Sequence, residues 1–351
     1  MADQVTLRDV AQLAGVSVAT ASRALSGAVG RTVRADLRAR VLDAAGMLNY
    51  SPNAAAQAMV RGSTSTVALV VHDIADPYAA AVAAGVMATA ARRGLMVTVA
   101  ATGSDPEVEV RHVEMLRRQR ARAVILGGSR TADPFVQQRL DLELSGILAD
   151  GGSVASIGQD TLPVHTVRID NAGGARSLAT SLVGLGYRRF AVLTGPESWL
   201  TSEDRLTGFQ AGVEAAGAAL APESVMSTQF SRDGGYVAMA EMLDRDPGAI
   251  ADVDAVFAVS DVMAVGAMAA LRDRGHHIPG DVAVAGFDDI GMLRDVRPAL
   301  TTVRLPLERI GSRALELALD LRPAEAEDRA TPVVETVTGE VVVRASTPGR
   351  N

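Results

Sequence analysis

Two hydrophobic periodicities divide the chain. Up to about residue 50 the apolar positions recur every three or four residues, as on an amphipathic helix; beyond residue 65 short unbroken apolar runs alternate with helical stretches. In the segment TLRDVAQLAGVSVATASRALSG (6–27), Leu7, Val10, Ala11 and Ala14 form one apolar stripe. Gly15 breaks that helix and Val16 plugs the corner. Ser17 caps a second helix whose inward face is Ala21 and Leu25. Thr6, followed three residues later by Asp9, has the spacing of a capping box and fixes where the first helix starts. A third helix is read over Arg34 to Leu48, with Leu37, Val41, Ala45 and Leu48 on its stripe, and Pro52 ends the unit. Two short helices joined by a tight turn are the helix-turn-helix pattern, whose second helix enters the DNA major groove. Double-stranded DNA is therefore the first partner expected.

Residues 53–60, NAAAQAMV, read as a short Ala-rich helix with little to bury, and Gly62 to Ser65 as a flexible joint. Strands are then expected at 67–73, 95–102 and 122–128, with helices at 79–93 and 106–119. The series restarts with strands at 165–171, 189–195, 225–230, 254–261 and 282–289, separated by helices at 173–186, 203–217, 233–245 and 262–274. Alternation of this kind gives right-handed βαβ units on parallel sheets. Two series predict two similar lobes, with a ligand pocket at the carboxyl ends of the strands between them.

Composition narrows the picture. A length of 351 residues allows two or three domains, and 48% hydrophobic content can fill their cores. There is no cysteine, which excludes disulfides and thiolate metal sites. All the basic residues are arginine. No secretory leader and no run of about 18 apolar residues is read, so a cytoplasmic protein is expected. The net charge of −7 hides an asymmetry. Residues 1–61 carry seven arginines against Asp3, Asp9, Asp36 and Asp43, a balance of +3 that leaves −10 on the remainder. A basic head on an acidic body suits a protein that meets phosphates with one end only. A Walker loop is impossible without lysine, and neither GxSxG nor GxGxxG after a strand occurs, so neither catalysis nor a cofactor is expected. His276 and His277 are adjacent, lack further ligands at metal spacing and read as loop residues.

The words DVAQLAGVSVATASRALSG (9–27), RARVLDAAGMLNYSPNAAAQAM (38–59), VALVVHDIADPY (67–78), RLTGFQAG (205–212), AVFAVSDVMAVGAMAALRDRG (255–275), IPGDVAVAGFDDI (278–290) and LTTVRLPLERIG (300–311) span nearly the whole chain. Their order resembles the LacI/GalR family of transcription regulators. The resemblance implies an all-α helix-turn-helix domain at 1–50, a hinge helix and linker at 51–63, and an α/β periplasmic-binding-protein-like body at 64–351. Within that body, lobe 1 is expected at about 64–169 and 300–328, and lobe 2 at about 170–299 and 329–351. It further implies a homodimer on a palindromic operator and a small polar effector, usually a sugar or related metabolite. The tail after Glu340 has no leucine heptad, which favours a dimer over a tetramer.

Carried onto this sequence, the resemblance makes Val18, Ala19 and Arg23 the base-reading positions. Valine and alanine can pack on a thymine methyl, and arginine can bond guanine bidentately. Thr6, Ser17, Thr20 and Ser22 suit phosphate oxygens near helix N-termini. Asn53, Ala56 and Met59 belong to the hinge, with Met59 at the family's intercalating position, where an apolar wedge would kink the duplex. In the body Arg205 and Asp288 are implied as ligand clamp and acceptor, Ser260 and Asp261 as strand-end contacts, and Phe230 (or Tyr236) as a stacking ring. Asp76, Tyr78, Gln159 and Asp160 complete the expected effector set. Two other classes compete: a transport solute-binding protein, which the body alone would fit, and an enzyme on an α/β scaffold.

Overall fold

The computed structural model describes residues 5–26, 33–51, 64–218, 220–245, 249–320 and 331–350. The hinge positions Asn53, Ala56 and Met59 lie outside them. The chain divides into two units, Met1–Thr64 and Ser65–Asn351.

The first unit contains α1 (Leu7–Ala14), α2 (Val18–Ser26) and α3 (Ala35–Met47). Its core is Val10, Ala11, Ala14, Ala21, Ala24, Val41, Ala44 and Ala45. With alanine at six of these eight positions, the three helices can approach closely. Leu7, Leu25 and Leu48, expected inside, are half-buried at the edge of this core. Gly15 ends α1 at φ +62°, a conformation that costs glycine nothing. A side chain there would also press on the Arg40 guanidinium, which donates to the Ala14 carbonyl at the end of α1.

In the second unit, β1 (Thr66–Val71), β2 (Met96–Ala101), β3 (Ala123–Leu126), β4 (Ser153–Gly158), β5 (His165–Ile169) and β11 (Val334–Val337) form one parallel sheet in the order β11-β5-β4-β3-β1-β2. Residues of β1 alternate between two cores. Val67, Leu69 and Val71 face α4 (Pro77–Arg92) and α11 (Leu307–Asp320), while Ala68 and Val70 face α5 (Pro106–Arg118) and α6 (Pro134–Ala149). Burial on both faces explains why β1 reads as a continuous apolar run. Three of these helices start on the same dipeptide: Asp76, Asp105 and Asp133 each cap a helix whose first residue is proline.

The second sheet runs β7-β6-β8-β9 and is also parallel. It comprises β6 (Phe190–Thr194), β7 (Val225–Ser227), β8 (Ala255–Ala258) and β9 (Ala283–Ala285). The helix pairs α7 (Asn171–Gly184) with α8 (Leu200–Ala215), and α9 (Arg232–Arg245) with α10 (Asp261–Asp273), pack on it. β10 (Thr302–Arg304) pairs antiparallel with β12 (Glu340–Val342) and touches the end of β9 through the bridges Ala285–Thr301 and Asp288–Arg304.

The lobe boundaries differ from the expected ones. The strand at 165–169, where the second series is read to restart, pairs with β4 in the first sheet, within the expected span of lobe 1, so the departures lie beyond residue 300. Residues 334–337, expected in the second lobe, extend the first sheet beside β5, and residues 301–304 lie against the second. The pairing of β11 with β5 joins residues 168 positions apart, such as Val334 and Thr166, so no local pattern encodes it. Among the described residues no helix is long and apolar enough to cross a membrane.

Candidate functional site

On the first unit, the Asp9 carboxylate accepts from both the Thr6 amide and the Thr6 hydroxyl, at 2.8 and 2.7 Å, which sets the start of α1. Those bonds pull the Asp9 pKa down. Ser17 Oγ accepts from the Thr20 amide at 3.1 Å and shares a hydrogen bond with Thr20 Oγ1 at 2.8 Å, capping α2. The sequence therefore sends Ala21 and Ala24 inward and leaves Ser17, Val18, Ala19, Ser22 and Arg23 exposed, with Thr20 half-buried. Val18 is 44% exposed, although an isolated valine on a helix would normally be inside. The surface is thus a largely polar stripe carrying the Arg23 guanidinium and two uncovered apolar residues, Val18 and Ala19.

In the second unit a cavity of about 880 Å³ opens where the carboxyl ends of both sheets converge. His72 and Asp73 follow β1, Gly127 and Gly128 follow β3, Ile169 ends β5, Phe230 follows β7 and Asp288 follows β9. Arg205, one turn into α8, is only 2% exposed. Its guanidinium donates to Asn171 Oδ1 at 2.8 Å, the Val259 carbonyl at 2.6 Å and Asp288 Oδ1 at 2.9 Å, and lies 3.8 Å from the centre of the Phe287 ring. Asp288 takes φ +117°, where a Cβ is strained, and is clamped there by its amide bonding Val303 and its carbonyl accepting from Leu305. Burial raises the Asp288 pKa while Arg205 draws it back. Asp76 caps α4 at the cavity wall, and burial raises its pKa as well. Burial, with Asp288 nearby, pushes the Tyr78 phenol up.

One wall is a seam between the lobes. His72 stacks on Trp199 with centroids 4.4 Å apart, and Phe230 lies 5.7 Å beyond Trp199. Beside them the Ala132 amide donates to Ser198, the Leu200 amide to Arg130, and the Thr201 amide to Ser129 Oγ. Behind the seam, Arg130 forms a buried bidentate pair with Glu109 at 3.0 and 2.8 Å. Burial first, and the Arg130 charge second, push the His72 pKa down to about 4.

Of the expected effector residues, Asp76, Tyr78, Arg205, Phe230 and Asp288 line this cavity. The others do not. Gln159 is buried beneath the seam, accepting from the Arg130 amide and donating to Thr201 Oγ1 and Asp204 Oδ2 at 3.0 and 3.1 Å. Asp160 is exposed, 3.9 Å from Arg168. Ser260 caps α10 through the Met263 amide, while Asp261 accepts from Thr302 Oγ1 and the Ile290 amide and so fastens the loop that carries Asp288. Tyr236 bonds Asp273 on the outside of α9. Sequence reasoning missed His72, Asn171 and Trp199. The last is the chain's single tryptophan, placed six residues before Arg205, and that isolation was its only signal.

Comparison with known proteins fits both units. Residues 6–53 match the family described as bacterial regulatory proteins, lacI family, and residues 179–347 match a periplasmic binding protein-like domain. The HTH-type transcriptional regulator CelR of Thermobifida fusca is 35% identical over 94% of this chain and 96% of its own length. A solved CelR–cellobiose complex shares 33% identity with a TM-score of 0.68, covering 97% of this chain and 99% of that one. The lac repressor dimer bound to operator and the anti-inducer ONPF is 25% identical with a TM-score of 0.81, covering 99% and 100%. The transport reading does not survive a helix-turn-helix head joined to such a body over the full length of a regulator. This chain belongs to the lacI family of bacterial regulatory proteins and is a DNA-binding transcriptional regulator.

Proposed function

We propose that this regulator binds a palindromic operator as a homodimer and that a sugar in the cavity controls its grip, most simply as a repressor. The observation that carries the effector reading is the Arg205–Asp288–Asn171 cluster, buried and clamped where the strand ends of both sheets meet an 880 Å³ cavity. A fixed guanidinium beside a carboxylate offers paired donors and acceptors to neighbouring hydroxyls. Asp76, Tyr78 and Phe230 add an acceptor, a hydroxyl and a ring to the same walls. The relative solved with cellobiose supports a saccharide, and the lac repressor, solved as a dimer on operator, supports the assembly.

On the DNA side, Val18, Ala19 and Arg23 read bases, while Thr6, Ser17, Thr20 and Ser22 meet phosphates. Asn53, Ala56 and Met59 act at the hinge. Work on DNA places the protein in the cytoplasm. Binding of the full-length protein to duplexes selected from a randomised pool tests this reading. A sequence preference and a steep loss of affinity with salt are expected. Weak binding with neither property would contradict it.

A further inference from the structure

The cavity's charges do not cancel. Asp288 pairs with Arg205 and Asp233 with Arg232, each at 2.9 Å. His72 is held neutral by its burial. Asp73 and Asp76 remain, and among the described residues neither forms an ion pair. Each uses one oxygen locally: Asp73 Oδ1 accepts from the Ala75 amide at 2.9 Å, and Asp76 Oδ1 from the Tyr78 amide at 3.0 Å. The N-terminus of α4 offsets part of the Asp76 charge, but Asp73 is not its cap. The buried cation of the lining, Arg205, already has all three nitrogens engaged within the protein.

We infer that Asp73 and Asp76 are specificity-determining residues that make this cavity discriminate against anionic sugars, phosphates and sugar acids alike, in favour of uncharged ones. The inference rests on the reading of the cavity as a sugar site. An anionic ligand would meet two carboxylates that lack an ion-pair partner and a buried guanidinium whose charge is already balanced by Asp288, although its two remaining N–H groups can still serve a neutral hydroxyl. At an effective dielectric of about 20, a ligand charge about 10 Å from half-buried Asp76 weakens binding roughly tenfold, and exposed Asp73 adds less because water screens it. A neutral polyol has no such penalty, and its hydroxyls can donate to the two free carboxylate oxygens.

Asparagine is the matched probe. It caps helices and closes such turns as well as aspartate does, so Asp73→Asn with Asp76→Asn removes the charge and keeps the local fold. The full-length protein would be titrated with neutral hexoses and disaccharides, each beside its 6-phosphate and its aldonate or uronate. Emission of Trp199, the single tryptophan, which lines the cavity, reports binding there. The tightest ligand should be neutral, with its anionic counterparts at least about tenfold weaker at low salt. In the double variant that ratio should fall to about threefold or less. An anionic sugar that binds more tightly than its neutral counterpart, or a ratio unchanged in the double variant, would overturn the inference. If no member of the panel binds, the sugar reading itself falls, and the inference with it.

Discussion

His72 and Trp199 stack face to face across the two lobes, with ring centroids 4.4 Å apart and planes 24° from parallel. One ring follows β1 of the first sheet and the other precedes α8, the helix that carries Arg205. The stack therefore ties the first lobe directly to the element that positions the buried guanidinium.

This stack is predicted to be pH-sensitive. The pKa of His72 falls from 6.5 to about 4 on folding. Between those values the unfolded chain binds a proton that the folded chain does not. Stability is then full above pH 6.5 and declines as pH falls towards 4. At about 1.4 kcal/mol per pH unit, going from pH 7.5 to pH 5 should cost up to about 2 kcal/mol. His72→Phe keeps a ring against Trp199 and removes the titration, so urea unfolding at the two pH values should lose that difference. Equal pH sensitivity in the variant would refute the assignment.

Removing Arg205 should hurt more at high pH than at low. Arg205→Met leaves the Asp288 carboxylate buried without its partner, a loss of about 3–5 kcal/mol where the carboxylate is charged. Asp288 already has a raised pKa from burial, so acid relieves the variant by protonating it. The destabilisation at pH 8 should exceed that at pH 5 by at least about 1 kcal/mol in urea titrations. A cost independent of pH would show that packing against Phe287, and not the charge, dominates.

Asp254 is predicted to fasten the C-terminal segment. It accepts from the Arg188 and Arg189 amides and pairs with Arg189 at 2.9 Å and Arg350 at 2.6 Å. These bonds hold its carboxyl well below the usual range despite its desolvation. A depressed pKa contributes stability above the ordinary carboxylate value, lost as pH falls below it. Asp254→Asn should therefore cost about 1–3 kcal/mol at pH 7 and progressively less below about pH 4 in thermal melts.

Arg23 and Val18 should separate base reading from phosphate holding. Arg23→Ala is expected to weaken the selected duplex by about 1–3 kcal/mol and to relax preference at one base pair of each half-site. Val18→Ser should relax a thymine preference with little change in salt slope. A uniform loss across all sequences with a flatter salt slope would instead assign Arg23 to phosphate.

The helical head and the βα alternation were legible because each segment carries its own period and punctuation. Gly15 after α1 and the Asp-Pro pairs opening α4, α5 and α6 are local signals. Arg205 and Asp288 were legible through the family resemblance, Asp288 also as an acid that follows an apolar strand while Arg205 lies within α8. Long-range pairing was not: nothing near residue 334 announces that it lies beside Thr166. Nor could sequence separate Asp76, which lines the cavity, from Asp261, which is used up in two internal hydrogen bonds. Both are acids at strand ends, and only the packing shows which has an oxygen to spare. Gln159 sits beneath the seam instead of at the ligand because its amide meets Thr201 and Asp204 of a helix that follows it by about forty residues.

Ligand-controlled DNA binding is tested most directly by one linked titration. The full-length protein is added to its selected duplex at fixed salt while the neutral sugar that changes Trp199 emission is increased. Operator affinity should shift by about 5- to 150-fold, the range of a coupling of about 1–3 kcal/mol. The shift should saturate at the sugar concentration that saturates the fluorescence. Saturated Trp199 emission with an unmoved operator affinity would show that the cavity and the helix-turn-helix are not coupled, and the account would fail.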